Sequence, residues 1–168
     1  MFKLSFLSLL LVSSFASAEE ARRANAHVHG LNNLSMVISQ NQVAISYEMP
    51  IVQLFDEHDE HDEHDELTIS DETLATFNNY LQLFALPEGA RCNLTSFESG
   101  LHSVSTEGDH KDVELSYEFA CSNPGQLKSV TINAFAHFRE LGTINFEAVI
   151  NNKALTKSLK SDVNKVIF

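Results

Sequence analysis

The sequence predicts an α+β fold that is mostly antiparallel, sandwich-like sheet with one main helix. Three observations support this fold class. In most segments after residue 27, apolar residues alternate with polar ones, as expected of strands with one buried face. Only residues 71–84 carry apolar side chains at helical spacing. The connections are of hairpin length, which favours an antiparallel arrangement of six or seven strands.

The first 18 residues have the composition of a secretory signal peptide. Lys3 supplies a positive charge, residues 4–15 are apolar apart from small serines, and Ala16-Ser17-Ala18 fits the small-x-small cleavage rule. The apolar stretch is shorter than the about 20 residues of a membrane-spanning helix. We therefore expect export, cleavage after Ala18, a single domain over residues 19–168, and no membrane insertion after cleavage.

The first two strands are predicted to form a hairpin. Residues 27–39 alternate, residues 40–42 predict a turn, and residues 43–49 alternate again before Pro50. In the first strand the histidines have the opposite parity to the apolar residues, which places His27 and His29 on the wetter face. The apolar residues of this strand are Val28, Leu34, Met36 and Ile38.

The main helix is predicted over residues 71–84. Ser70 is a good N-cap, acidic residues occupy the first turn, and Pro87 and Gly89 follow the helix. After the helix the alternation returns, and strands are expected at 92–97, 113–121, 130–134 and 144–150, with a turn at 123–125. The tail from Lys153 has a weaker pattern.

The overall charge and the cysteines limit the possible partners. The chain has 11 basic and 23 acidic residues and a net charge of −12, which argues against nucleic acid and anionic lipid and is compatible with cations. Cys92 and Cys121 are an even pair in an exported chain, which predicts a disulfide. A thiolate metal site is the alternative, although the two cysteines are far apart in sequence.

Residues 56–66 repeat the triplet Asp-Glu-His and place His58, His61 and His64 among eight carboxylates. Imidazole nitrogen and carboxylate oxygen are ligands for first-row transition metals. Because these carboxylates repel one another, such a run suits loose, rapidly exchanging metal binding rather than one rigid site. The alternative is an acidic loop that only solvates the surface.

A second set of candidate ligands lies on predicted strands. His27 and His29 are two residues apart, so both point to one side of a strand, with about 6 to 7 Å between their α-carbons. His110, Asp112 and Glu114 lie opposite the apolar parity of residues 113–119. Together they could supply three or four zinc ligands, although surface histidines with no ligand role are equally compatible with the spacing. We expect His137 to be partly buried and His102 to be at the surface.

The sequence lacks the motifs Gly-x-Ser-x-Gly and His-Glu-x-x-His and a phosphate-binding loop, so we expect a protein that is not an enzyme.

Several segments together resemble one family. They are residues 26–30 (Ala-His-Val-His-Gly), residues 83–87 followed by Cys92, and residues 110–113 leading to Tyr117-Glu118-Phe119-Ala120-Cys121. They resemble the zinc-regulated gene A (ZrgA-like) family of periplasmic zinc-uptake proteins, whose members often carry a His- and acid-rich insertion. The resemblance implies that His27, His29, His110 and Asp112 bind zinc. His58 matches the family's Phe-Glu-His segment only loosely, because Asp56 intrudes.

The sequence therefore predicts a periplasmic protein that captures or buffers zinc and hands it to importer components in the inner membrane. Two alternatives remain open. Copper or nickel could be the metal, because copper binds such ligands more tightly than zinc. The chain could also be an interaction domain without metal, whose histidines make its surface sensitive to pH.

Overall fold

The computed structural model describes residues 31–54, 69–103, 112–138 and 140–168. Within these ranges the chain forms nine strands and one α-helix. The helix α1 spans Asp71–Asn78. The strands are β1 (Asn32–Ser39), β2 (Gln42–Pro50), β3 (Phe84–Ala85), β4 (Cys92–Ser99), β5 (Asp112–Cys121), β6 (Ser129–Ile132), β7 (Ile144–Ile150), β8 (Lys153–Leu159) and β9 (Lys165–Ile167).

Six strands form a large sheet in the order β4-β5-β2-β1-β7-β8. All of its neighbours are antiparallel except β1 and β7, which run parallel with Asn32 beside Ile144. The predicted hairpin is confirmed, because β1 and β2 pair antiparallel from Asn33 opposite Glu48 to Ser39 opposite Gln42. The fold class predicted from the alternation is thus observed.

The remaining strands form a small sheet in the order β3-β6-β9, and the hydrophobic core lies between the two sheets. Phe84 of β3 packs edge-on against Tyr117 and Phe119 of β5, at centroid distances of 5.2 and 6.0 Å. The inner face of β5 carries the apolar residues that the alternation predicted. They are all buried: Val113, Leu115, Tyr117, Phe119 and Cys121.

The predicted helix over residues 71–84 was too long, since α1 ends at Asn78. The next residue, Asn79, leaves the helical conformation and donates its N–H to the Ala75 and Thr76 carbonyls. A short 3-10 helix follows, and Phe84 then pairs with Ile132 in the small sheet. The apolar spacing continues past the end of α1 because the residues that follow also pack against the large sheet, although their backbone is no longer α-helical.

Two further expectations need correction, and the tail, for which no element was predicted, is ordered into strands. Strand β6 ends at Ile132 rather than at residue 134, because a 3-10 helix begins at Ala134. His137 is exposed rather than partly buried. The tail from Lys153 forms two strands, and β7 turns into β8 through Asn151 and Asn152, both of which have positive φ. Such a two-residue turn matches the twist of a hairpin, and asparagine tolerates this backbone conformation well.

The predicted disulfide is confirmed. Cys92 begins β4 and lies directly opposite Cys121, the last residue of β5, and the two sulfurs are bonded. The part of the chain that the structure describes has no free cysteine, which removes a thiolate metal site from consideration there.

Candidate metal site

Of the predicted metal ligands, only Asp112 belongs to the described part of the chain. His27, His29, His58, His61, His64 and His110 lie outside the described residues. Asp112 is the first residue of β5, is half-buried, and lies opposite Pro50, the last residue of β2. Among the described residues, no three His, Cys, Asp or Glu side chains form a group that could hold a metal ion.

Three strand ends come together at one end of the large sheet. β1 begins there at Asn32, β2 ends there at Pro50 and β5 begins there at Asp112, because β2 pairs antiparallel with both neighbours. In sequence, His29 precedes β1 by three residues and His110 precedes β5 by two. We call this the open end of the sheet. The tight turns and the disulfide lie at the opposite end.

A row of polar side chains crosses the outward face of the large sheet next to its open end. The pairing aligns Asn145 of β7, Asn33 of β1, Glu48 of β2 and Glu114 of β5 on four adjacent strands. Asn145 Nδ2 donates to Asn33 Oδ1 at 3.3 Å, and Asn33 Nδ2 donates to Glu48 Oε2 at 3.3 Å. Ser46 Oγ donates to Glu114 Oε1 at 2.8 Å. These hydrogen bonds orient both carboxylates.

The outward face is acidic along its four central strands. Strands β1, β2, β5 and β7 carry no Lys or Arg at their outward positions, and five of those positions are acidic. The five residues are Glu48, Asp112, Glu114, Glu118 and Glu147. A face of this charge raises the local concentration of cations and disfavours anionic partners.

The sequence reasoning missed Glu48 as a residue near the candidate site. Glu48 has the polar parity of β2, but a single glutamate in an alternating strand is an ordinary solvated residue. Its position becomes informative only through the pairing, which places β2 between the two strands that follow the predicted ligands in sequence. Glu114 was assigned to the polar face together with Asp112, but not as a neighbour of Glu48.

The other two histidines are His102 and His137. Gly100, two residues before His102, lies beside the backbone of Glu114. The 3-10 helix Gly100–Ser103, which includes His102, follows β4. The exposed His137 lines a groove of about 460 Å³ beside the small sheet, together with Leu81, Asn133, Phe135 and Asn164. No described Asp, Glu or Cys is among the residues lining that groove, so His137 lacks the partners of a zinc site there.

A comparison with models of known protein families shows to which family the chain belongs. A family model described as "ZrgA family zinc uptake protein" matches residues 26–168. The chain belongs to the ZrgA family. The match begins one residue before His27, and it extends to the last residue of the chain, so every predicted ligand lies within it. A search of curated proteins returned no match.

Membership of the ZrgA family associates the chain with zinc uptake. The disulfide fits a location outside the cytoplasm, where the oxidising environment lets such bonds persist. In the part of the chain that the structure describes, no helix has the length and apolar character needed to cross a membrane.

Proposed function

We propose that the chain captures or buffers zinc in the periplasm and passes it to an uptake system in the inner membrane. It would act as a binding protein rather than as an enzyme. Family membership supports the metal and the process, and the disulfide supports the compartment. The acidic outward face supports a cationic cargo.

The observation that carries the proposal is the convergence of three strand ends at the open end of the sheet. β1 and β5 flank β2, so their backbones are about 10 Å apart there, which is two strand spacings. His29 is three residues from Asn32, and an extended chain reaches about 3.3 to 3.6 Å per residue. In this proposal His29, His110 and Asp112 bind a single ion, which these spacings permit.

Side-chain parity also supports a common site. His27 and His29 have the parity of Asn33, and His110 has the parity of Asp112 and Glu114. Where the alternation of each strand continues, all of these side chains point to the outward face. Glu48 lies between Asn33 and Glu114. In the proposed site it would accept a hydrogen bond from an imidazole N–H, as the outer partner that zinc-bound histidines usually have.

In this proposal the ligands have two roles. His27, His29, His110 and Asp112 form a tight site, with His58 as the candidate for a further ligand. His58, His61 and His64 with the neighbouring carboxylates form a looser site that collects zinc. Because neutral imidazole is the ligand form, we expect zinc affinity to fall as the pH drops below about 6.5.

Calorimetric titration of the metal-free mature protein with zinc tests the proposal. We expect one tight site together with weaker binding. Deleting residues 56–66 should remove the weaker binding only, whereas replacing His27 and His29 with alanine should remove the tight site. His137→Ala is the matched control and should bind zinc like the unaltered protein. Loss of all binding on deletion of residues 56–66 would show that the strand site is wrong.

Two further measurements separate the alternatives. Competition of zinc with copper and nickel, combined with expression of the protein under zinc starvation, distinguishes zinc handling from the handling of the other metals. A melting temperature that does not change on addition of micromolar zinc, copper or nickel would instead favour an interaction domain without metal.

A further inference from the structure

Three buried polar atoms lack a hydrogen-bond partner in the structure. They are Asn32 Oδ1, the Tyr47 hydroxyl and Gln53 Oε1, and among the described side chains no other buried nitrogen or oxygen is in this state. Asn32 and Tyr47 are 5% and 0% exposed. Nearly all buried polar atoms of native proteins have a partner, which is a protein group or an ordered water molecule. We therefore expect each of the three atoms to have a hydrogen-bond partner.

All three atoms belong to the segments around the open end of the sheet. Asn32 is the first residue of β1, and Tyr47 lies opposite Leu34 on β2. Asn32 and Leu34 share the inner face, which makes Asn32 and Tyr47 diagonal neighbours with α-carbons about 7 to 8 Å apart. Gln53 lies in the 3-10 helix Ile51–Leu54 that directly follows β2, and Ile51 of that helix packs on the core.

The hydrogen-bonding capacities of the three groups are complementary to those of one water molecule. The two amide oxygens can only accept, whereas the phenol can donate. Burial raises the pKa of Tyr47 far above its ordinary value, so the hydroxyl keeps its proton. A water molecule has two protons for the amide oxygens and a lone pair for the phenol. The phenol is the one donor among the three atoms, so pairing among them alone would leave one amide oxygen without a donor.

We infer that Asn32, Tyr47 and Gln53 hold one buried water molecule, which donates to Asn32 Oδ1 and Gln53 Oε1 and accepts from the Tyr47 hydroxyl. This water ties the 3-10 helix after β2 to the first residue of β1. Its functional consequence rests on the proposed function. The chain leads from this 3-10 helix towards His58 and from His29 into β1, so the water fixes where two ligand-bearing segments meet the fold.

The melting temperature of the Tyr47→Phe variant tests the inference, because the direction of its change depends on whether the hydroxyl has a partner. If the hydroxyl binds the water, its removal should lower the melting temperature by about 2 to 4 °C. Tyr117→Phe is the matched control, because the Tyr117 hydroxyl donates to the Phe77 carbonyl at 2.8 Å, and it should show a similar loss. An unchanged or higher melting temperature for Tyr47→Phe would overturn the inference, because the hydroxyl would then be unpaired.

A double-mutant cycle and a crystal structure complete the test. If Tyr47 and Gln53 share one water molecule, Tyr47→Phe and Gln53→Leu together should lower the melting temperature by less than the sum of the single changes. Strict additivity would overturn a shared water. A high-resolution structure should show one oxygen within about 2.6 to 3.2 Å of all three groups. No density there, or density that refines as a metal ion, would also overturn it.

Zinc titration separates this inference from the proposed function. Tyr47→Phe should weaken zinc binding several-fold while the stoichiometry stays the same. If the unaltered protein takes up no zinc, the proposed function fails, whereas the melting temperatures and the crystal structure still decide the water site. If zinc binds equally well to both proteins, the water does not position the ligand-bearing segments, and that part of the inference is wrong.

Discussion

Asp112 is the residue where the predicted site and the described structure meet. It begins β5 on the outward face, with Glu114 two residues further along the strand and Pro50 opposite on β2. Glu48 and Glu114 lie directly opposite each other, although like charges in such a pair repel. Hydrogen bonds from Asn33 and Ser46 hold these two carboxylates in place. A cation bound nearby would reduce their repulsion.

Replacing Asp112 with asparagine tests its role as a ligand. The substitution keeps the shape of the side chain and removes its charge, so we expect zinc affinity to fall by at least about tenfold with little change in stability. Calorimetric titration measures the effect. Glu118→Gln is the matched control, because Glu118 lies on the same face near the other end of β5 and should leave zinc affinity unchanged. Equal losses in both variants would indicate general electrostatics rather than ligation.

The two buried tyrosines predict how stability depends on pH. Burial raises the pKa of Tyr47 and of Tyr117 above the ordinary value of about 10. Unfolded tyrosines ionise above about pH 10 while the folded ones stay protonated, so unfolding then releases protons and stability falls as the pH rises. The stabilisation is complete below about pH 10. Above that pH, each of the two tyrosines should lower the free energy of unfolding by up to about 1.4 kcal/mol per pH unit.

Urea denaturation between about pH 9 and about pH 12 measures this loss. Tyr117→Phe should roughly halve the slope, because Tyr47 then supplies the remaining pKa that burial raises. A free energy of unfolding that stays constant across this range, or phenolate absorbance from more than one of the three tyrosines in the folded protein, would contradict the prediction.

At the scale of elements, α1 is short and depends on its ends. Ser70 Oγ accepts a hydrogen bond from the Thr73 N–H at 3.2 Å, and Asp71 and Glu72 lie in the first turn, where negative charge is favourable. Near the other end, the Phe77 ring packs against the Phe138 ring with 5.8 Å between their centroids. The Phe77 carbonyl accepts a hydrogen bond from the Tyr117 hydroxyl. The core therefore fixes one end of the helix and the cap fixes the other.

Removing the cap should destabilise this helix. We expect Ser70→Ala to lower the free energy of unfolding by about 1 kcal/mol, because one N–H of the first turn loses its partner. Ser70→Asp, which retains a capping oxygen, should stay near the unaltered protein. Urea midpoints measure both. If alanine and aspartate give the same midpoint, the cap contributes nothing.

At the scale of the whole molecule, the disulfide and the candidate site occupy opposite ends of β5. The strand spans ten residues from Asp112 to Cys121, so about 30 Å separate them. Cys92 and Cys121 are 29 residues apart in sequence. Because the cross-link restricts the unfolded chain, it stabilises the fold from the end of β5 that is remote from Asp112.

Replacing both cysteines with alanine should therefore separate stability from binding. In the chain-entropy model we expect the free energy of unfolding to fall by about 3 to 4 kcal/mol. Zinc affinity of the protein that remains folded should be unchanged. Denaturation and calorimetry on the same sample measure both quantities. Loss of zinc binding in protein that circular dichroism shows to be folded would contradict the separation.

The sequence by itself determined those local features that depend on residues close together in the chain. The alternation identified the buried face of β1, β2 and β5, the capping position of Ser70 located the start of α1, and the cysteine pair indicated the disulfide. The candidate ligands also came from residue type and spacing, and of these only Asp112 lies in the described structure. Its half-buried place at the start of β5 follows the predicted alternation.

Only the tertiary structure decided what depends on contacts between distant segments. Residues 79–84 have helical spacing but leave the helix, because Phe84 gains strand pairing with Ile132 and packing against β5. The parallel contact of β1 with β7 and the place of β2 between β1 and β5 cannot be read from local patterns, since many strand orders satisfy the same alternation. That order is what places Glu48 between Asn33 and Glu114, and it required the whole core to be packed.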